Sequence, residues 1–457
     1  LSPPPTATRR LFRREARATF LLAIPIVVGQ VSQILMGLTD SVMIGRAGTV
    51  PLAASAFGGG VFNVFFLAGI GFLSPVALFV SRAHGAVRPE EAGEYLRHGL
   101  FLALAGGGVE LGLALALSGH LAWFGQPAEV LGAVNPFFQL ISWSLLPSLV
   151  YLALRQFAES MGRPWVPMLI MLAGVALNGG LNWVLIYGHL GAPRLGLTGA
   201  GISTLTSRTL GAVVLFGWMR ADPTMRAAWP RSWRAPLAWP RLSQMMAVGL
   251  PVAGSLLFES GAFAASAVMM GWLGAVPLAA HQIAISCAAM TFVIMLGIAI
   301  AVGMRLSAAV GADERWRLRP IWLGGLGMGT ALAVAFTGVF LCFGRVIAAY
   351  FVADAAVVEV ATTLLVVAAV FQLFDGGQVI NTAALRGLPD VKVPALITFI
   401  AYWGVALPAA YFLGVRLGWG PVGIWSALAA GLAVAATFLG WRFLRLTRSD
   451  PAAPPAP

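Results

Sequence analysis

Residues 369–385 read AVFQLFDGGQVINTAAL, with the ionisable Asp375 in the middle of an otherwise apolar run. In a water-soluble helix such a residue turns outward to solvent; in a lipid bilayer it has no such exit. The whole chain decides which solvent applies. It is 59% hydrophobic, only 10% charged, and has a mean hydropathy of +0.85. Soluble domains carry roughly 25% charged residues. A membrane-crossing helix needs about 20 mostly apolar residues at ~1.5 Å rise each. Windows of that kind fall near 18–44, 51–80, 98–119, 130–154, 164–187, 198–219, 244–271, 277–303, 320–343, 357–384, 392–414 and 420–441. A large soluble helical protein would instead show polar faces at a 3.6-residue period, and these windows have none. The fold expected is all-α and integral to the membrane, with about twelve transmembrane helices.

The net charge of +12 is arranged as topology rather than as a nucleic-acid footprint. Five basic residues fall at 9–17, three at 82–97, two at 155–163, five at 220–241, four at 305–319, two at 386–392 and three at 442–448. The alternate connections carry only Arg46, Arg194, Arg345 and Arg416. Lysine and arginine concentrate on the cytoplasmic side of membrane proteins. Both termini are therefore expected in the cytoplasm, in a multi-pass protein of the cytoplasmic (inner) membrane. The arginine-rich start runs into the first span with no A-x-A site behind it, so no cleavable signal peptide is expected. Residues 1–17 read as a disordered basic arm and 447–457 as a disordered Pro/Ala tail. Cys287 and Cys342 lie within apolar spans and suggest no disulfide framework.

The chain repeats itself. PLAA occurs at 51–54 and again at 277–280, an offset of 226. At that offset Pro25 matches Pro251, Gly45 matches Gly271, Ser81 matches Ser307, and Gly85-Ala86 matches Gly311-Ala312. A register held across half a chain indicates two six-helix bundles, 18–219 and 244–446, joined by the basic linker 220–243. Six spans per half put both halves in the same orientation, a parallel repeat. Transporters built from such repeats bind substrate between the halves and rock them.

Soluble-enzyme signatures are absent: there is no G-x-x-x-x-G-K-[ST], H-E-x-x-H, C-x-x-C or G-x-S-x-G. The chemistry rests on charges inside the spans, namely Asp40, Glu110, Arg208, Glu259 and Asp375. A charge at the bilayer centre costs at least ~2.5–3.5 kcal/mol, so each needs a partner, a proton or a watery cavity. A carboxyl taken out of water favours its protonated form and releases the proton when water returns. The same carboxylates, ionised, are hard oxygen ligands for Na⁺. The repeat aligns Glu259 with Gln33 and Asp40 with Ser266, so the acids break the symmetry that the scaffold keeps. Asn178 and Asn182 form an i, i+4 pair on one helix face. Glu110 stands 13 residues beyond Arg97, and Arg208 stands 12 before Arg220. Both would lie roughly 18–20 Å in from the same boundary. A structural Glu110–Arg208 ion pair is expected on that ground.

GLTDSVMIG (37–45), LLFESGAFA (256–264), AHQIA (280–284), FQLFDGGQVI (371–380), LRG (385–387) and AYW (401–403) resemble the multidrug and toxic compound extrusion transporters, most closely the NorM-like branch. The similarity runs from about 18 to 445. It implies export of amphipathic, often cationic drugs by antiport against H⁺ or Na⁺, with no other cofactor and no enzymatic activity. It also implies an N-lobe cation site at Asp40, Asn178, Asn182 and Thr204. A C-lobe site is implied at Glu259 and Asp375, the place for Na⁺, with Phe292 and Phe371 nearby. The NorM-like pattern has tyrosine where this chain has Phe371, which removes one hydroxyl ligand. Drug-like small molecules and membrane lipid are the expected partners, nucleic acid is not, and a monomer is expected. The competing readings are a lipid-linked oligosaccharide flippase, whose cavity would need several basic residues where the spans hold only Arg208, and an intramembrane enzyme using a carboxylate pair.

Overall fold

The computed structural model describes the backbone of residues 5–448 and the side chains from Arg10 onward. The expected tails at 1–4 and 449–457 lie outside the described residues. Every apolar window forms a helix: α1 Pro5–Ala47, α2 Thr49–Gly85, α3 Pro89–Ser118, α4 Ala128–Ser160, α5 Trp165–Tyr187 and α6 Leu197–Ala221 in the first half. The second half contributes α7 Trp239–Leu273, α8 Ala275–Gly311, α9 Leu318–Phe351, α10 Ala355–Gly387, α11 Lys392–Arg416 and α12 Gly420–Leu446. Among the described residues eleven helices are long and apolar enough to cross a membrane, and the chain is a multi-pass membrane protein. The twelfth, α6, has the length at 25 residues. Its hydropathy is lowered by Ser203, Thr204, Thr206, Ser207, Arg208 and Thr209. Helices dominate because lipid offers no hydrogen bonds, so the backbone must satisfy itself within each segment.

The duplication is visible in the backbone. Gly48 links α1 to α2 at φ 145°, and its repeat mate Gly274 links α7 to α8 at φ 121°. Both sit in the region of positive φ that favours glycine. Each donates to the glycine three residues before it, Gly48 to Gly45 O at 3.3 Å and Gly274 to Gly271 O at 3.2 Å.

The chain divides into two compact units, Val28–Ala253 and Gly254 onward together with α1 up to Val27. These units differ from the expected repeat halves 18–219 and 244–446, since each dividing point falls inside a helix, two residues past Pro25 or Pro251. Within the first unit, Ala253 of α7 lies against Gly71 of α2, where a Cβ would stand 2.4 Å from the Ala253 Cα. Within the second, Val27 of α1 lies against Gly297 of α8, where a Cβ would stand 2.9 Å from the Val27 Cα. Gly71 and Gly297 are repeat mates. Only a missing side chain lets the two helices meet backbone to backbone.

Residues 10–17 are also corrected. They are helical, not disordered, because Glu15 is buried at 1% exposure between Arg305 of α8 and Arg317 ahead of α9. The linker 220–243 is held in the same manner. Arg97 of α3 donates to Pro236 O at 3.3 Å and to Ala235 O, and the Ala238 amide donates to His98 Nε2 at 3.0 Å. Gly93 leaves room for the linker backbone at Ala228.

Candidate functional site

The first unit brings Asp40, Asn178, Asn182 and Thr204 together. Asn178 and Asn182 are wholly buried on α5, and Asn182 Nδ2 donates to Asp40 Oδ1 at 2.5 Å and to Asn178 Oδ1 at 3.4 Å. Asn178 and Thr204 stand close enough to Asp40 to interact with its carboxyl. Tyr187 Oη, donating to Met43 O at 2.8 Å, ties α5 to α1 one turn beyond the acid. Asn178 Nδ2 and Asn182 Oδ1 are buried without a protein partner. An orphaned buried polar atom costs about 1–3 kcal/mol. The cluster therefore has unused capacity to hold water or a cation against Asp40.

Arg208 belongs to the surroundings of this carboxyl. Its guanidinium donates to Ser144 Oγ at 3.0 Å, lies over the rings of Phe62 (5.0 Å) and Phe66 (5.5 Å), and feels the charge of Asp40. The expected Glu110–Arg208 ion pair is not formed. Glu110 Oε2 is buried without a partner and stands 3.0 Å from the place of a Cβ on Gly69. Phe62 and Phe66 stand seven and three residues before Gly69 on α2, so the two charges sit at different heights, roughly 5–10 Å apart along that helix. Residue spacing from the helix ends sets depth along each axis but not which neighbour a side chain meets. The buried pair this half does contain is Arg155–Glu159 at 3.0 Å on α4, with Arg155 also donating to Gln30 Oε1 at 2.6 Å. By charge count alone Arg155 groups with the loop arginines, although its i, i+4 spacing to Glu159 is a signal of the pair.

The second unit brings Glu259 and Asp375 within reach of each other's charge. Asp375 is 4% exposed on α10, whereas Glu259 on α7 is partly open. Tyr402 of α11, fully buried, donates its hydroxyl to Glu259 Oε1 at 3.1 Å. Phe371 is buried against Phe263 (6.1 Å) and Trp425 (5.3 Å), in an aromatic wall that Tyr402 also joins through Phe263 (6.0 Å). Trp425 Nε1 donates to His281 Nδ1 at 3.1 Å, which fixes that wall to α8. Phe292 on α8 makes no ring contact with this wall among the described residues. Tyr402, Trp425 and His281 were not assigned from sequence, although AYW and AHQIA had been singled out as motifs. Gly376 follows Asp375 and lets Met295 of α8 close in, its sulfur 3.4 Å from where a Cβ would sit.

The chain and its fold have counterparts among known proteins. A probable multidrug resistance protein NorM of Rhizobium meliloti (strain 1021) is 33% identical over 447 residues, 96% of this chain and 95% of its own length. A protein of the same name from Pseudomonas putida is 35% identical over 444 residues, 94% of this chain and 96% of its own. Among solved structures, the Vibrio cholerae MATE transporter VcmN in the bent form superposes with a TM-score of 0.87 at 18% identity, covering 96% of this chain and 98% of its own. The eukaryotic MATE transporter AtDTX14 does so at 0.85 and 18%, with the same coverage. One family model, MatE, matches twice, at residues 25–184 and 251–412, so that its two copies begin at the repeat mates Pro25 and Pro251. The chain belongs to the MatE family.

Proposed function

We propose that the chain is an antiporter that exports amphipathic, often cationic small molecules in exchange for H⁺ or Na⁺. The observation that carries this reading is the presence, in each half, of an intramembrane carboxyl set among polar side chains with unused hydrogen-bonding capacity. Asp40 has this setting among Asn178, Asn182 and Thr204, and Asp375 has it between Gln372 and Gln378 of its own helix, within reach of the charge of Glu259. The relatives named as multidrug resistance proteins, similar over nearly their whole length, support drug-like compounds as cargo. In this reading the two halves alternate access between the membrane's two sides, and each carboxyl binds its cation on one side and releases it on the other. The protein works as a monomer in the cytoplasmic membrane, both termini inside, with no cofactor and no catalytic reaction.

The test is ethidium transport in membrane vesicles, with a pH gradient and a Na⁺ gradient imposed separately. At least one gradient should drive transport by the wild type. Asp40→Asn cannot exchange a proton and should lose the dependence on external pH. Glu259→Gln and Asp375→Asn should each lose gradient-driven transport while remaining folded and inserted. Transport indifferent to both gradients, or fully coupled transport by Asp375→Asn, would overturn the reading.

A further inference from the structure

His98, in the third turn of α3, is fully buried, and its two ring nitrogens meet opposite partners. Nδ1 lies 2.7 Å from Glu94 O, one turn back on the same helix. Nε2 lies 3.0 Å from the amide nitrogen of Ala238, in the linker 140 positions further on. A carbonyl oxygen only accepts and an amide N–H only donates, so these partners fix the ring as neutral, with its proton on Nδ1. His120 and His189 are different. Each sets one nitrogen against a backbone carbonyl and is exposed, so a second proton there meets water. At His98 a second proton enters at Nε2 and points at the Ala238 N–H, donor against donor.

The surroundings are accounted for. Glu94 Oε2 stands 3.8 Å from Nδ1 but already receives Arg97 at 2.7 Å and Arg241 of α7 at 3.3 Å. Tyr95, the next ionisable group on α3, donates to Gln244 Oε1 at 3.5 Å and lies beneath Arg241. From α2, Arg82 reaches Tyr95 with its charge, and the contact at Gly99 is the apolar Val76. From the linker come the carbonyls of Ala235 and Pro236, which accept from Arg97, and the Ala238 amide. Among the described residues that amide is the hydrogen-bond partner of Nε2. A buried charged donor set against another donor is costly, so the linker backbone must move off when the ring charges. We propose that His98 is a proton-binding latch: neutral, it holds the linker to α3 at Ala238, and protonated, it lets that segment go. The sign follows from the hydrogen bond. The hold is complete while the imidazole is neutral and is lost as pH falls through its range, between about pH 7 and 5. Arg97 keeps its grip on Ala235 and Pro236, so the opening is confined to Leu237, Ala238 and Trp239. The latch makes the entry to α7 responsive to pH on the linker's side of the membrane, without any part for Asp40 or Asp375.

Hydrogen exchange of the purified full chain tests this. Pro236 and Pro240 carry no amide, so the stretch 236–240 reports Leu237, Ala238 and Trp239 alone. Rates are corrected for the intrinsic pH dependence of exchange. Protection of this stretch in the wild type should then fall about tenfold from about pH 7.5 to about pH 5. His98→Gln, whose amide oxygen replaces Nε2 as acceptor and does not titrate, should stay protected at both pH values. His98→Leu, with no acceptor, should be unprotected at both. Protection that does not change with pH in the wild type overturns the proposal. An equal step in His98→Gln does so too, because it assigns the proton to another group. Full protection in His98→Leu would show that a different contact holds the amide, with the same consequence. Should His98→Gln fail to purify, the midpoint of the wild-type step decides. A midpoint below about pH 5 belongs to a carboxyl; it points to Glu94 and overturns the latch.

Discussion

Arg208 cannot shed its proton, yet no carboxylate within salt-bridge distance pairs with it among the described residues. It is accommodated by a hydroxyl, two aromatic faces and the more distant field of Asp40. Cation–π contacts in dry surroundings contribute about 2 kcal/mol or more, which makes Phe62 and Phe66 its main support. Glu110, by contrast, keeps one buried oxygen without a partner. Two charged sites that share no hydrogen-bond or ion-pair partner should act independently. In a double-mutant cycle, Glu110→Gln and Arg208→Gln should therefore add to within ~0.5 kcal/mol of thermal stability. Glu110→Gln alone should be neutral or stabilising, because it removes an ionisable group that nothing balances. A double variant clearly more stable than the sum of the singles would restore the ion pair. The polar cluster of Asp40, Asn178 and Asn182 was legible because ionisable and amide side chains stand out in an apolar run. Azimuth was not legible. Sequence spacing orders residues along a helix axis but does not say which neighbour each faces, and Arg208 and Tyr402 found their partners through that second coordinate.

At the scale of elements, the twelve windows were legible because length and hydropathy are local properties. Two elements were not. The arm before α1 reads as solvated arginines until Glu15 meets Arg305, 290 positions away in the chain, and no local pattern encodes that meeting. In α11, π-helical turns replace α-helix over Ile400–Ala406 and Tyr411–Arg416. Such turns are frequent at functional sites, and this one carries Tyr402. The arm gives a quantitative expectation. Glu15 is gripped by two arginines, Arg305 and Arg317, and its side chain is 1% exposed. Glu15→Gln leaves Arg305 uncompensated, while Arg317 keeps Glu314; breaking one partner of a buried pair costs about 3–5 kcal/mol. The surface pair Glu90–Arg231, 61% and 78% exposed, is the control, where Glu90→Gln should cost no more than ~1 kcal/mol. Melting of the two variants in detergent decides between an anchored and a free arm. Equal, small losses would mean the arm carries no stability.

At the scale of the whole molecule, the duplication does more than double a bundle. The dividing points after Val27 and after Ala253 are repeat mates, so each half's first helix contributes its N-terminal end to the other half's compact unit. On the α7 side that end is held to α2 and α3 by Gly249 against Phe72 O, by Arg241 to Glu94 at 3.3 Å and by Tyr95 to Gln244 at 3.5 Å. On the α1 side it is held by Glu15, by Thr19 accepting from Arg305 at 2.5 Å, and by Ala16 against Gly324. An isolated half would keep its own six helices but lose the segment that closes its core. It would expose Gly71 and the face around Phe72 in one case, and Gly297 and Gly324 in the other. Two independent six-helix domains would suffer no such loss. The chain can be divided in the exposed linker, between Ser232 and Trp233, and the pieces 1–232 and 233–457 produced separately or together. Each piece alone should be degraded or aggregate. Produced together they should copurify through a tag on one of them and recover ethidium transport, since the exchanged ends reach their places without a covalent link. A lone piece that purifies as a stable, monodisperse species would show that the exchanged ends are dispensable and that the halves fold independently.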